Sequence, residues 1–309
     1  MIVVGVDGGG TRSRGILVRG GETVAEADGG AAIILPGAPE QAAEAVEGLV
    51  RDLTEMAGLD LPVDALWAGL AGAGRGEPRQ VVVDRLRTSG VARIVEVGTD
   101  VAAAHADAFD GRPGVLLVLG TGSVLYAVDP RGTRITVGGW GTELGDEGSG
   151  YRIGLDALQA VVQGSDGREV VTGLTATILE ALGLEEPGEL LDWSGTAAKA
   201  DLAAVSPLVI DAAREGDVLA SRIIHRALSE VRRMLEAALA RSDGWTGRPR
   251  LALVGGLTRR NRLGGPVGAL AQEVGYELVD RAVVPERGAA RRAAELVASP
   301  PAETTSCPD

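Results

Sequence analysis

The sequence predicts an α/β protein made of two related halves with a cleft between them. The chain has 309 residues, of which 45% are hydrophobic and 24% charged, and this is enough apolar sequence for two compact domains. A unit of three short strands around a glycine turn occurs near the start of the chain and again after residue 113. The turn-rich stretch at 110–114 separates the two copies and is the predicted domain boundary.

The first half reads as three strands followed by alternating helices and strands. In the segment 41–56 apolar residues recur at helical spacing, and Gly58 follows as a stop signal. The same reasoning predicts strands at 2–6, 15–19, 23–27, 65–70 and 94–97, and helices at 41–56, 79–87 and 100–108. The first domain is expected to span residues 1–113.

The second half restarts the pattern and then adds a long helical insertion. Strands are predicted at 115–119, 124–128, 134–137 and 251–254, a mostly helical region at 147–241, and helices from about Asn261 and over 286–297. The second domain is expected to span 114–298, with the option that its last helix, 286–298, packs back on the first domain. Residues 299–309 are predicted to form a disordered tail.

Composition and charge exclude several classes of function. The net charge is −13 and no block is rich in Lys or Arg, which argues against nucleic acid as a partner. The longest apolar runs, such as 115–119, are too short for a membrane helix, and no basic leader precedes the first strand, so a cytoplasmic protein is expected. The one cysteine, Cys307, cannot form an internal disulfide or a cysteine-rich metal site.

Two glycine turns are the first candidates for chemistry. Gly8-Gly9-Gly10 precedes Thr11, and Thr121 lies between Gly120 and Gly122. A turn without side chains can bring its backbone N–H groups close to a phosphate, and each threonine adds a hydroxyl donor. A tight hairpin is the alternative for either turn alone. The paired occurrence favours phosphate binding, and neither turn fits a P-loop or a dinucleotide-binding fingerprint.

Two aspartates follow predicted strands. Asp7 lies beside the first turn, where it could hold the hydration shell of a nucleotide-bound Mg²⁺ or simply cap the turn. Asp100 follows the strand at 94–97 and is either a general base facing the cleft or the N-cap of the next helix. The residues alone leave both choices open.

The densest glycine stretch is predicted to be a binding loop. Residues 138–150 contain Trp140 and Asp146 among many glycines, which is typical of a loop that binds a polyhydroxylated ligand. The alternative is a connector with a buried Trp140 and with Asp146 as a helix cap. His105 and His225 lie far apart on predicted helices and are interpreted as structural.

Together these motifs resemble the actin-like sugar kinase and ATPase superfamily, and within it the N-acetylglucosamine kinases and the BadF/BadG/BcrA/BcrD-type ATPases. The resemblance covers residues 1 to about 298. It rests on Val6–Arg12, Gly98–Asp100, Leu119–Ser123, the pair 138–141 with 145–149, and Val254–Gly256. The implied fold is two ribonuclease-H-like domains around an ATP cleft.

The resemblance implies an ATP- and Mg²⁺-dependent sugar kinase. Asp100 is the implied general base and Asp7 the implied metal ligand. The implied nucleotide-binding residues are Asp7, Gly9, Gly10, Thr11, Arg12, Gly120, Thr121, Gly122, Gly255, Gly256 and Arg260. The implied substrate-binding residues are Ile33, Asp100, Gly139, Trp140, Gly141 and Asp146. The expected partner is a small-molecule sugar, and a homodimer is a further expectation.

One position departs from the pattern. Kinases of this group carry an Asn that contacts the amino sugar shortly after the third strand, where this chain has Ile33, and Asn261 is the only asparagine in the sequence. The acceptor is therefore left open among N-acetylglucosamine, glucosamine and a related hexose. The alternative function is a non-redox regulatory ATPase or a sugar-sensing protein, since Cys307 offers nothing to hold an iron–sulfur cluster.

Overall fold

The chain folds into two mixed five-stranded sheets, each covered by its own helices. The computed structural model describes residues 1–74 and 76–298. The strands in these residues are β1 (Ile2–Gly8), β2 (Ser13–Arg19), β3 (Glu22–Gly29), β4 (Val63–Leu70), β5 (Ala92–Gly98), β6 (Gly114–Leu119), β7 (Ser123–Val128), β8 (Arg134–Gly138), β9 (Arg250–Val254) and β10 (Glu277–Val279). The helices are α1 (Pro39–Met56), α2 (Gly76–Thr88), α3 (Asp100–Phe109), α4 (Gly150–Ser165), α5 (Gly173–Leu182), α6 (Leu190–Thr196), α7 (Lys199–Ala204), α8 (Ser206–Arg214), α9 (Val218–Arg241), α10 (Gly264–Val274) and α11 (Pro285–Ala298).

The two sheets belong to two units that repeat one topology. Their strand orders are β3-β2-β1-β4-β5 and, read in the corresponding direction, β8-β7-β6-β9-β10. In each, an antiparallel meander of three strands is extended by two parallel strands. The internal repeat predicted from the glycine turns is thus a repeat of the whole sheet, and the α/β fold class is confirmed.

The first unit contains residues 1–112 and the segment from Arg281 to the end of the described chain. Side chains alternate along β1, so Val4 and Val6 join the core beneath α1 and α2 while Val3 packs on the opposite face with Trp67 and Ala289. Both faces of this sheet are therefore covered, as is usual where parallel strands occur.

Helix α11 is held in the first unit by packing and by charge. Gly5 and Gly288 allow it to lie directly on β1 and α3, because a Cβ at either position would collide with backbone atoms. The buried Asp107 carboxylate accepts a hydrogen bond of 2.8 Å from the Val284 N–H and faces Arg281 and Arg287. The final helix thus lies outside the second unit, which ends at Asp280, whereas the sequence-based range for the second domain extends to 298.

The second unit spans Pro113–Asp280 and carries the helical insertion. The region predicted as mostly helical contains α4 to α9, and these helices share one core with β6, β7 and β9. Two details of the prediction are wrong. Strand β10 was not expected. Helix α10 begins at Gly264 rather than near Asn261, because the Leu263 and Gly264 N–H groups donate to the Leu257 and Arg259 carbonyls and close a turn before the helix.

The described helices do not include one with the length and apolar character needed to cross a bilayer. The tail at 299–309, with Cys307, lies outside the described residues.

Candidate active site

The first glycine turn joins β1 to β2 and is open to solvent. The Gly9 N–H donates to the Arg12 carbonyl at 3.0 Å, which closes a hairpin, while Gly10, Thr11 and Arg12 are exposed. The two interpretations of this segment, a tight hairpin and a phosphate-binding turn, therefore do not exclude each other. A Cβ at Gly10 would meet only the Ile33 Cδ1 atom, at 3.9 Å, so space remains beside the backbone for a ligand.

Asp7 and Asp100 lie at one edge of the first sheet. The parallel register places Asp7 beside Gly69 in β4 and Gly69 beside Gly98 in β5, so the strands end level with one another. Asp100 follows two residues after that end. The carboxyl ends of neighbouring parallel strands are where open α/β sheets bind ligands.

The Asp7 carboxyl group has a strongly perturbed pKa. Burial, followed by the negative charges of Asp100 and Glu286, raises this pKa from 3.8 to about 7, although Arg12 and Arg14 partly oppose the rise. Glu286 belongs to the first turn of α11 and is itself buried. The edge of the sheet thus gathers negative charge that the nearby arginines only partly offset, and a perturbed pKa of this kind is typical of functional sites.

Asp100 is not the cap of α3. Thr99 is the cap, because its hydroxyl accepts a hydrogen bond from the Ala102 N–H, and Asp100 is the first helical residue. Burial raises the pKa of Asp100, and hydrogen bonds from the backbone N–H groups of Val101 and of Asp100 itself partly oppose this rise. The half-buried carboxylate is therefore not needed as a cap, and its raised pKa makes it a stronger base than an ordinary aspartate.

The second glycine turn joins β6 to β7 and supports the start of α4. The Gly120 N–H donates to the Gly122 carbonyl at 2.9 Å, and the carbonyls of Gly120 and Thr121 accept from Gly150 and Tyr151. Thr121 is exposed. The turn is fixed from behind through its carbonyl groups, which leaves the exposed threonine on the solvent side.

The Gly255–Gly256 turn lies directly beside the second turn. Strands β6 and β9 are parallel, with Val118 level with Val254, so both turns leave the same edge of the sheet. Gly255 has a φ of +112°, and a Cβ there would collide with the Leu119 carbonyl. Arg260 lies farther along, at an open cavity of about 390 Å³ on the second unit.

The loop between β8 and α4 presents an aromatic side chain to solvent. Trp140 is 74% exposed, and its neighbours Gly139 and Gly141 both have positive φ angles, which bend the chain sharply. The Gly139 N–H donates to the Ser123 carbonyl and ties the loop to β7. The alternative of a connector with a buried Trp140 is wrong.

Asp146 lies underneath this loop. Its side chain is buried, its Oδ1 atom accepts from the Ser123 N–H at 3.1 Å, and its Oδ2 atom lies 2.5 Å from the Lys199 Nζ. Ser149, and not Asp146, caps α4 by accepting from the Arg152 N–H. The cap interpretation is therefore wrong, and both carboxylate oxygens are engaged by the protein, so a direct bond to a sugar hydroxyl would require this arrangement to open.

Ile33 lies beside the first glycine turn. Its neighbours Ala32 and Ile34 are buried in the core of the first unit, whereas Ile33 is half-buried and outside that core. The Ala32 N–H donates to the Gly9 carbonyl, and the Ile34 N–H to the Ala71 carbonyl. The segment is thus anchored on both sides of Ile33, and the Ile33 side chain reaches toward Gly10.

The described histidines do not form a metal site. His105 is buried and stacks against Phe109 with 4.8 Å between ring centres, and His225 is exposed. Residues 1–74 and 76–298 contain no group of three or more His, Cys, Asp or Glu side chains able to hold an ion. Asp7 nevertheless suits Mg²⁺ carried by a nucleotide, because Mg²⁺ commonly uses one or two carboxylates with phosphates and waters as its other ligands.

Two charged residues at these sites were missed by sequence reasoning. Glu286 and Asp7 lie near opposite ends of the sequence, and no sequence pattern connects them. Lys199 carried one usable signal, since it is the only lysine in the chain. That signal identified an unusual residue but not its neighbours.

Comparison with known proteins finds sugar kinases among the similar chains. A Clostridium acetobutylicum protein named N-acetylmuramic acid/N-acetylglucosamine kinase is 31% identical over 74% of this chain and 76% of its own length. A glucosamine kinase of Vibrio cholerae is 29% identical over 83% of this chain and 85% of its own. A crystal structure from Chromobacterium violaceum, provisionally described as an N-acetylglucosamine kinase, has a TM-score of 0.73 and 27% identity, covering 93% of this chain and 97% of that one. Residues 4–293 match the BadF/BadG/BcrA/BcrD ATPase family, and the chain belongs to that family.

Proposed function

We propose that the protein transfers the γ-phosphoryl group of ATP to a hydroxyl group of an amino sugar or a closely related hexose. Family membership implies the use of ATP, and the relatives named above are kinases of amino sugars. The observation that carries the proposal is Asp100, a carboxylate with a raised pKa that is not needed as a helix cap and stands at the same sheet edge as an open glycine turn.

Asp100 acts as the general base in this proposal. It accepts the proton of the sugar hydroxyl while the sugar oxygen forms a bond to the γ-phosphorus. The bond between that phosphorus and the β,γ-bridging oxygen breaks, and its electron pair stays with ADP. General-base assistance of this kind contributes about 10²–10⁴-fold in rate.

The glycine turns provide hydrogen-bond donors for the phosphates. Thr11 and Arg12 in the first unit and Thr121 in the second are exposed at their turns and would donate to phosphate oxygens. Gly255, Gly256 and Arg260 are proposed to lie along the nucleoside. Asp7 would hold Mg²⁺ through its bound waters, and the cation would supply charge neutralisation at the phosphates.

The sugar is proposed to contact the loop that carries Trp140. The exposed indole offers an apolar face to a sugar ring, and the backbone of Gly139 and Gly141 offers polar groups beside it. Ile33 is proposed to line the edge where an Asn would bind the 2-substituent. The acceptor, whether an amino sugar or a related hexose, would then receive no hydrogen bond from the side chain at position 33.

Release of ADP from ATP and Mg²⁺ across a panel of sugars tests the proposal. We expect release that depends on glucosamine, N-acetylglucosamine or a related hexose and that disappears in Asp100→Asn. Release that is independent of every sugar would instead support a regulatory ATPase, and sugar binding without release would support a sensor. The phosphorylated product, identified by mass spectrometry, confirms that the phosphoryl group has moved to the sugar.

A homodimer, which the resemblance implies, and a cytoplasmic location, which the sequence composition predicts, stay predictions. Sedimentation velocity of the purified protein tests the first, and localisation of a tagged chain tests the second.

A further inference from the structure

The only lysine of the chain lies at the second glycine turn. Lys199 begins α7, and its Nζ atom is 2.5 Å from the Asp146 Oδ2 atom and 5.9 Å from the centre of the Tyr151 ring. A Cβ built on Gly122 would lie 3.3 Å from the same Nζ atom. The ammonium group is therefore in van der Waals range of the turn, although α7 is far from it in sequence.

The protein holds this ammonium group in place with a bent loop. Asp146 is one of two described non-glycine residues with a positive φ, here +59°, and this conformation is uncommon for a residue with a side chain. One Asp146 oxygen accepts from the Ser123 N–H, directly after the turn, and the other faces Lys199. The carboxylate thus connects the turn and the lysine, and fixes the distance between them.

The pair leaves donor capacity on Lys199. An ammonium group has three N–H donors, and its contact with Asp146 is an ion pair to a single carboxylate oxygen. The Lys199 side chain is 35% exposed, so the remaining donors are not enclosed by protein. Every other basic residue in the chain is an arginine, whose planar fork suits bidentate pairing, whereas lysine is a compact point charge that can approach a single oxygen in a narrow turn.

We propose that Lys199 is a nucleotide-phosphate ligand and that Asp146 is the positioning residue that directs it to the Gly120–Gly122 turn. This inference rests on the proposed function, in which that turn binds ATP phosphates. Lys199 donates a hydrogen bond to a phosphate oxygen and offsets the negative charge that moves onto ADP as the bond to the γ-phosphorus breaks. No proton leaves Lys199 during the transfer.

Amine acylation tests the contact in the unaltered protein. Lys199 and the amino terminus are the only primary amines of the chain, so peptide mass spectrometry can follow each separately. We expect ADP with Mg²⁺ to slow acylation of Lys199 by about tenfold or more, while the amino terminus reacts as before. The reason is that a charge-assisted hydrogen bond to phosphate favours the bound state of the amine over its free state by about 10- to 100-fold. Unchanged acylation of Lys199 at saturating ADP would overturn the inference.

Variants test the consequence for turnover. We expect Lys199→Met to weaken ADP binding in calorimetry and to lower kcat/KM for ATP by about 10- to 100-fold, with the KM for the sugar changing less than about twofold. Lys199→Arg should recover part of the loss. Arg222→Met is the matched control, because it also breaks an ion pair in the second unit, with Glu169, but away from the turns.

Asp146→Asn separates positioning from sugar binding. Asparagine keeps an acceptor for Ser123 and loses the charge that holds Lys199, so nucleotide affinity should fall and the double variant with Lys199→Met should be no worse than Lys199→Met alone. A higher sugar KM with unchanged ADP affinity would mean that Asp146 reads the sugar, and would overturn its positioning role.

These readouts keep the two proposals apart. If the wild-type protein shows no sugar-dependent ADP release, the kinase proposal fails while acylation and ADP affinity still decide the role of Lys199. If sugar-dependent release is strong and Lys199→Met leaves the nucleotide parameters unchanged, the lysine inference fails alone.

Discussion

Replacing Asp7 by Asn is expected to stabilise the first unit at neutral pH. The half-buried Asp7 carboxyl group lies near the negative charges of Asp100 and Glu286, and desolvation together with these charges raises its pKa from 3.8 to about 7. Its ionised form is therefore disfavoured in the folded chain relative to the unfolded one. Asparagine occupies nearly the same volume and carries no charge, so it removes this cost.

The sign and size of the effect follow from proton linkage. Between pH values of about 4 and 7 the folded state keeps a proton on Asp7 that the unfolded state has lost, so folding stability falls as pH rises through this window. Below the window the two variants should differ little. Above it, a rise of about three units corresponds to at most about 4 kcal/mol in favour of Asp7→Asn.

Hydrogen exchange of the β1 and β4 amides, read by mass spectrometry in the presence of a chelator, measures this difference. The free energy of opening is compared between wild type and Asp7→Asn at a series of pH values, after correction for the intrinsic exchange rate. Glu286→Gln removes one of the two negative neighbours and should reduce the wild-type slope. A difference between Asp7→Asn and wild type that stays constant with pH would refute the raised pKa.

Three further predictions concern activity. Asp100→Asn should lower sugar phosphorylation by about 10²–10⁴-fold with ATP affinity nearly unchanged, and retention of a tenth of the activity would remove its role as base. In wild type, kcat/KM should fall as the pH is lowered, at a higher pH than for an ordinary aspartate, because the pKa of Asp100 is raised. Gly10→Val should weaken ATP binding in calorimetry, because its side chain would block the approach of phosphate to the backbone. Gly37→Val is the control, since it also lies at an uncrowded position, and it should leave ATP binding unchanged. Gly122→Val should weaken ATP binding too, but its side chain would also displace Asp146. Ile33→Asn should raise kcat/KM for N-acetylglucosamine by about tenfold, because the asparagine provides a hydrogen bond worth about 1–3 kcal/mol. Efficient use of that sugar by the wild type, with no change in the variant, would contradict this prediction.

The strands and their turns could be predicted because their signals are local. Apolar runs bounded by glycines identified β1, β2, β6 and β7 to within two residues, and tertiary packing only extended their ends. Strand β10 was missed because it is three residues long, pairs only with β9 at the edge of its sheet and shows no apolar alternation. Such a strand forms because its partner is already in place, which no local pattern reveals.

The candidate site was predictable only as far as its residues are neighbours in sequence. The turns at Gly8–Arg12 and Gly120–Gly122 were visible because glycine density is a property of the segment itself. Glu286 comes close to Asp7, and Lys199 to the second turn, only through the packing of α11 and α7 in the folded chain. The choice between cap and functional residue at Asp100 was equally undecidable until the hydroxyl of Thr99 was seen to occupy the cap position.

The repeated sheet gives the two glycine turns equivalent positions, yet the charged side chains beside them differ. At the end of β1 the half-buried Asp7 and the buried Glu286 are acidic, and the charge of Glu286 helps to raise the pKa of Asp7. At the end of β6 the charges form an ion pair: one oxygen of the Asp146 carboxylate accepts from the strand after the turn, and the other faces the Lys199 ammonium group. Under the proposed function, the first turn would receive the phosphates together with Mg²⁺, and the second would receive them beside Lys199. Repetition of one topology thus explains the shared backbone geometry. The different side chains around each copy would give the first unit the proposed base and metal ligand, and the second unit the proposed phosphate ligand.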